Sequence, residues 1–266
     1  MSQHPRPLSI RSGSDQLDAL LFPRPEAPVV LFCHGFPGVH QHIDLAEAVH
    51  RAGLAVLVLR YRGVGQSTGF FNFRDAIFDV EAAMDHLAAS GIGSQGLGLF
   101  GYSAGGYYGI NAAVSRNAAS SDGCLVNAVC VLSPVVDLPR TARLKFENMY
   151  ELMLAAPDLI RVAGVDHLVA SFAEIWRDYY VLDRVAELDG IPILIIDGDD
   201  EEHGDPEQAR MLYAAAREPK LLLSLPGAGH YFDRPQDRAR LMQEIAGFFA
   251  RELVKAPLTG RLVCES

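Results

Sequence analysis

The chain is built on a repeated alternation, in which short and nearly continuous apolar runs are separated by stretches whose apolar residues recur at helical spacing. "PVVLFCHG" (28–35), "LAVLVLRYRG" (54–63), "GLGLFG" (96–101), "AVCVLSP" (128–134), "GIPILIIDG" (190–198) and "KLLLSLPG" (220–227) are the apolar runs. Their lack of polar alternation marks strands buried on both faces, as in a parallel sheet between two helical layers. Between them, "HIDLAEAVHRAG" (42–53) has a helical period and stops at Gly53, and 73–90 carries Ile77, Val80, Met84 and Leu87 on one face. Residues 104–116 are rich in Ala and Gly, which suits a helix lying close to a sheet, and "QDRARLMQEIAGFFARELV" (236–254) is a long amphipathic helix. "LSIRS" (8–12) and "LDALLF" (17–22), parted by Gly13-Ser14-Asp15, predict an opening hairpin. The expected fold is therefore α/β, with a mostly parallel central sheet flanked by helices.

The alternation fails once. Between Pro134 and Ile191 there is no strand pattern, only "MYELMLAAPDLIRVAG" and "HLVASFAEIWRDYYVLDRVAEL" at helical spacing. This stretch is too long for an ordinary connection. It predicts a small helical cap over 136–189, inserted between the sixth and seventh strands of a core made of 1–135 and 190–266. The 266 residues fit one such domain, and 49% hydrophobic with 21% charged residues is ordinary for a globular chain. No apolar run is long enough to span a membrane, so no membrane partner is expected, and the opening "MSQHPRPLSIRSG" lacks the plan of a secretory signal. A cytoplasmic location is the expectation. A net charge of −10 without a basic cluster argues against nucleic acid as a partner. Of the four cysteines, Cys33, Cys124, Cys130 and Cys264, none has zinc-like spacing, and Cys33 and Cys130 sit in apolar runs as small hydrophobes.

Chemistry concentrates around "FGYSAGGYYG" (100–109). Ser103 stands in Gly-x-Ser-x-Gly between a strand and a helix, the context of a nucleophile on a sharp turn whose close neighbours must lack side chains. A serine hydroxyl needs a base to take its proton. "PGAGHYFDRP" (226–235) supplies His230 on a glycine-rich loop after the last strand; the other eight histidines are assigned no role. The imidazole needs a carboxylate to orient it. "IDGDDEEHGDP", after the 190–198 strand, offers Asp197, Asp199, Asp200, Glu201 and Glu202, in the chain order Ser, acid, His. A calcium loop is disfavoured because Glu202 occupies the position that would need glycine, so no metal is expected. The oxyanion needs preorganised donors. The backbone N–H of Ala104, at a helix start, and that of Phe36, in "CHGFPG" (33–38), are the candidates.

Together, "HGFPG", "LRYRGVGQS" (59–67), "GYSAGG", "IDGDDE" and "PGAGHYF" occur in the order and approximate spacing of the α/β-hydrolase superfamily, which the chain resembles over nearly its whole length. "RYRGVGQSTG" is similar to the Arg-Gly-x-Gly-x-Ser segment of the serine aminopeptidase-like and dipeptidyl-peptidase-related branches. There its role is structural, so Arg62 and Ser67 stay outside the site. The resemblance also orders the acidic loop. Relatives place the orienting Asp three residues after the glycine, a position held here by Glu201, with Asp200 as the alternative and Asp137, after the preceding strand, as an outsider.

The implied reaction is acyl transfer to water through an acyl-enzyme on Ser103, with no cofactor and a small-molecule acyl substrate. Ester hydrolysis is the leading expectation. Thioester, amide or carbon–carbon bond cleavage, acyl transfer or cyclisation, and a non-catalytic ligand-binding role are the alternatives. Tyr102, Met149, Trp176 and Tyr180 are the candidates for lining a hydrophobic pocket. A homo-oligomer is compatible with the sequence.

Overall fold

Side chains that alternate across each apolar run send two hydrophobic sets in opposite directions, and the tertiary structure follows from that division. The structure is a computed structural model and describes residues 4–38, 40–119, 126–137, 158–200 and 206–254. Its strands are β1 (Arg6–Ser12), β2 (Asp15–Phe22), β3 (Val29–Cys33), β4 (Ala55–Leu59), β5 (Leu97–Tyr102), β6 (Val126–Leu132), β7 (Ile193–Gly198) and β8 (Lys220–Leu225). They form one eight-stranded sheet in the order β1-β2-β4-β3-β5-β6-β7-β8. β1 and β2 are the expected hairpin, and β2 also pairs antiparallel with β4; every other pairing is parallel.

The helices are α1 (Ile43–Arg51), α2 (Phe73–Ser90), α3 (Ala104–Ala119), α4 (Val165–Asp178), α5 (Val181–Arg184), α6 (Glu207–Ala215) and α7 (Pro235–Leu253). Their ends have local causes. The Asn72 side chain accepts the Asp75 N–H at 2.8 Å to cap α2, which ends at Gly91 with φ 69°. Pro235 opens α7 with a φ already suited to a helix.

Val29, Leu31 and Cys33 of β3 join Leu97 and Leu99 of β5 in the core layer shared with α2 and α3. Val30 and Phe32 join Phe100 and Tyr102 in the opposite layer, shared with α1 and α7. The winding reverses at β3, which has β4 on one side and β5 on the other, with Cys33 level with both Leu59 and Gly101. The loops after β3 and β5 therefore emerge side by side at the carboxyl ends of the strands, where open α/β sheets form a crevice.

Two features of the fold depart from the sequence reading. "KLLLSLPG" is a strand but not a buried one. β8 is the outermost strand, with Leu221 54% and Leu222 37% exposed, because a sheet edge has a neighbour on one side only. No sequence signal announces α6; it buries only Gln208, Ala209 and Leu212, too few positions to set a clear helical period. Within 136–189, α4, α5 and a 3-10 turn (Val185–Glu187) bear the predicted helical character. The first half of that segment lies largely outside the described residues, and its return is tied to the loop after β4 by the bridge Val64 to Ile160 and by hydrogen bonds such as Arg161 N–H to Gly63 O at 2.7 Å and Phe71 N–H to Arg161 O at 2.8 Å. Among the described residues, no helix is long and apolar enough to cross a membrane.

This burial pattern separates two leucines. Leu31→Ala, in the centre of the sheet, should lower unfolding free energy by about 2–5 kcal/mol. Leu221→Ala, on the exposed edge, should stay within about 0.5 kcal/mol of wild type. Urea denaturation of both variants checks this, and equal losses would contradict the edge position of β8.

Candidate active site

The turn from β5 into α3 holds Ser103 in the left-handed region at φ 54°, a conformation that costs a residue with a side chain and is kept only where its surroundings enforce it. Glycine makes the enforcement possible. A Cβ on Gly105 would lie 2.2 Å from the Cys33 carbonyl oxygen and 2.5 Å from that of His34. One on Gly101 would lie 2.5 Å from Gly106 Cα. The first turn of α3 is thus pressed against the end of β3. The Ser103 N–H donates to Leu132 O at 2.9 Å, and its carbonyl accepts from Gly106 N–H at 3.0 Å, so the turn is also fixed from β6.

The loop after β3 passes over the serine. A Cβ on Gly35 would stand 3.0 Å from Ser103 Cβ, which puts "HGFPG" against the turn. Phe36 is half-buried, its ring 5.2 Å from those of both Phe71 and Phe73. Ala104 is the first residue of α3, where backbone N–H groups have no partner within the helix and the helix dipole favours negative charge.

The sequence assigns the base to the loop after β8, and the structure places His230 there, buried. The Tyr102 hydroxyl donates to the His230 carbonyl at 3.2 Å, and the two rings lie 5.2 Å apart. The histidine loop is therefore seated on the residue that precedes Ser103. Tyr102, a sequence candidate for the pocket wall, is itself buried and faces the α1 and α7 layer.

The acidic loop docks onto the same histidine loop. Gly227 N–H donates to the Asp199 carboxylate, and Asp200 N–H donates to Ala228 O at 3.1 Å. The Asp200 side chain is exposed. Glu201 lies outside the described residues, as does Met149. Asp137 sits beyond β6, where its N–H and that of Val136 donate to the buried Gln208 Oε1 at 3.0 and 2.7 Å. Trp176 and Tyr180 pair at 4.6 Å, with Trp176 36% exposed. Burial, aided by the Asp137 charge, raises the Tyr180 phenol above its ordinary range.

Two histidines without a sequence assignment lie close by. His34 follows β3 and donates Nδ1–H to Gly35 O at 2.7 Å. Burial, opposed by that hydrogen bond, lowers its pKa to about 4. His42 precedes α1 and accepts from Arg238 at 2.9 Å through Nδ1. Burial, with Arg238 adding to it, lowers its pKa to about 3. Their sequence signal is slight, because a histidine after a strand or before a helix has many structural uses. Cys33 is buried and its thiol is pushed up to about 12, so it is no rival nucleophile near neutrality. Among the described residues, no group of three His, Cys, Asp or Glu side chains could hold a metal ion.

The model of the alpha/beta hydrolase family matches residues 30–241, and the chain belongs to that family. It is 27% identical over 229 residues to an uncharacterized protein of Mycobacterium tuberculosis (strain ATCC 25618 / H37Rv), a match spanning 85% of this chain and 71% of that protein. Among solved structures it is similar to the alpha/beta hydrolase GrgF from Penicillium sp. sh18, with TM-score 0.72 and 16% identity over 95% of this chain and 100% of that one. It is also similar to Est1E from Butyrivibrio proteoclasticus, solved with ferulic acid bound, with TM-score 0.73 and 20% identity over 93% of this chain and 100% of that one.

The close approach at Gly105 predicts that Gly105→Ala is severely destabilising, since two backbone carbonyls stand where the methyl group must go. Gly229→Ala, whose Cβ would meet nothing closer than Asp200 O at 3.2 Å, should be far milder. Thermal unfolding of the pair gives the comparison.

His34 and His42 make a pH prediction. The unfolded chain takes up their protons as pH falls through about 6.5, whereas the folded protein resists until about 4 and 3. Stability should therefore fall between about pH 7.5 and 5, by on the order of 1–2 kcal/mol per histidine. Urea midpoints across that range test it, and a flat profile would show that neither ring is held neutral.

Proposed function

We propose that this protein is a serine hydrolase that cleaves a carboxylic ester, or a related acyl bond, of a small hydrophobic substrate. The observation that carries the reading is Ser103 held at φ 54° on a strand-to-helix turn, in a member of the alpha/beta hydrolase family. A left-handed serine on a strand-to-helix turn is the geometry of a nucleophile elbow, in which the hydroxyl stands at the top of the sheet. In the proposed mechanism, Ser103 Oγ attacks the substrate carbonyl as His230 accepts its proton. The N–H groups of Phe36 and Ala104 hold the negative oxygen of the tetrahedral intermediate. Collapse expels the alcohol, which takes its proton from His230 and leaves the acyl group on Ser103. Water, deprotonated by His230, then releases the acid and restores the serine.

Glu201 is proposed as the carboxylate that orients His230, with Asp200 as the alternative. Docking of residues 198–200 on the histidine loop supports a carboxylate from this segment. The half-buried Phe36 and the Trp176–Tyr180 pair support a hydrophobic acyl or aromatic group. The "RYRGVGQS" segment supports placement near the serine aminopeptidase-like branch. The expected substrate is a small molecule met in the cytoplasm.

A fluorophosphonate probe should label the wild-type protein at Ser103, and Ser103→Ala should abolish labelling and lower p-nitrophenyl ester turnover by at least about a thousandfold. Labelling at another residue would overturn the assignment. Glu201→Gln should reduce kcat far more than Asp200→Asn, and the reverse order would move the orienting role to Asp200.

A further inference from the structure

We propose that His42 is a positioning residue for His230, acting through Tyr102 in a brace that runs Asp44–Arg238–His42–Tyr102–His230. The proposal rests on the hydrolase reading above, because it assigns His42 a part in holding that reading's base.

The brace begins with two helices. Arg238 of α7 makes two bonds to the Asp44 carboxylate of α1 through Nε and Nη2, which fixes the guanidinium. Its Nη2 also donates to His42 Nδ1 at 2.9 Å. A guanidinium can only donate, so Nδ1 must carry the lone pair and the ring proton must sit on Nε2. His42 is thus fixed in one tautomer and one orientation, and its burial keeps the ring uncharged.

The ring is delivered at a cost. His42 takes φ 49°, a left-handed conformation unusual for a residue with a side chain. It stands edge-on to Tyr102, at 74° with centroids 4.2 Å apart. Tyr102 in turn donates its hydroxyl to the His230 carbonyl and lies 5.2 Å from the His230 ring. A cavity of about 450 Å³ lies beside it, lined in part by His40, His42, Tyr231, Asp233 and Arg238. On that side the Arg238 hydrogen bond adds to the ring contacts with Tyr102 and Phe100 in holding the imidazole.

A base on a glycine-bearing loop has no strand or helix of its own to set its position. The brace supplies one, because it ties the backbone at His230 to α1 and α7 through the residue next to Ser103. A displacement of about 1 Å at a reacting group can cost up to about a hundredfold in rate.

The test compares wild type with Tyr102→Phe, His42→Phe, Arg238→Met and the Tyr102→Phe/His42→Phe double variant. Hydrolysis of p-nitrophenyl acetate gives kcat and KM. The ring C–H NMR line of His230, assigned by its loss in His230→Gln, reports the order of that ring without needing turnover. The expected result is a kcat about tenfold or more lower in each single variant, KM within about twofold of wild type, and a broadened or split His230 line. The double variant should lose no more than the worse single one. Unchanged kcat in folded variants, additive losses or an unaltered His230 line would overturn the proposal. Tyr102→Phe removes only a hydroxyl, so it decides the matter if His42→Phe fails to fold. A wild-type protein with neither turnover nor probe labelling would overturn the hydrolase reading, and the NMR line would then judge the brace by itself.

Discussion

Close backbone contact between the start of α3 and the end of β3 is the constraint on which the site depends. Gly105 lies where any side chain would displace the Cys33 and His34 carbonyls. That contact sets the height of α3 over the sheet, keeps Ser103 in its left-handed conformation and lets the following loop cross above it. The energy that holds the strained serine comes from the layers on either side, where Leu31, Leu99 and Tyr108 on one face and Phe32, Phe100 and Phe249 on the other are essentially fully buried. Such cores resist small displacements because they are packed as densely as molecular crystals.

The two layers then serve different loops. On the α2 side, the Arg62 guanidinium bonds the fully buried Asp79 at 2.6 Å and Asp75 at 3.0 Å, while Ser12 Oγ donates to Asp79 at 2.7 Å. Removing one partner from such a buried pair leaves an uncompensated charge, so the group acts as a rivet for the loop after β4. Ser67, fully buried, donates to Arg60 O and accepts from Asp18 N–H in the same region. Arg62 and Ser67 thereby fasten the loop after β4 to β1, β2 and α2. On the other side, α1 and α7 meet through Asp44 and Arg238 and serve the histidine loop instead.

Much of this was legible in the chain because the signals were local. Continuous apolar runs such as 29–33 and 55–59 announce strands covered on both faces, and Gly-x-Ser-x-Gly between strand and helix announces the turn at Ser103. What escaped depends on tertiary position. The run of leucines in β8 reads the same at a sheet edge as in a sheet centre, so its exposure could not be read from its composition. Tyr102 occupies a place in the motif that invites a role in the crevice, yet alternation along β5 turns it toward α1 and α7. His42 and Arg238 are 196 positions apart, and no spacing rule joins them. The carboxylate of the acidic loop was narrowed by resemblance alone, since five candidates share one short stretch.

The uncharged state of the two buried imidazoles has a bearing on the electric field near the crevice. A cationic neighbour would oppose the formation of positive charge on a nearby ring, and His42 and His230 lie close enough to influence each other electrostatically. With His34 and His42 held uncharged through the range in which free imidazoles gain protons, neither adds a positive charge beside the crevice there. The fold thereby lets two imidazoles pack next to the crevice without adding to its charge as the solution is acidified.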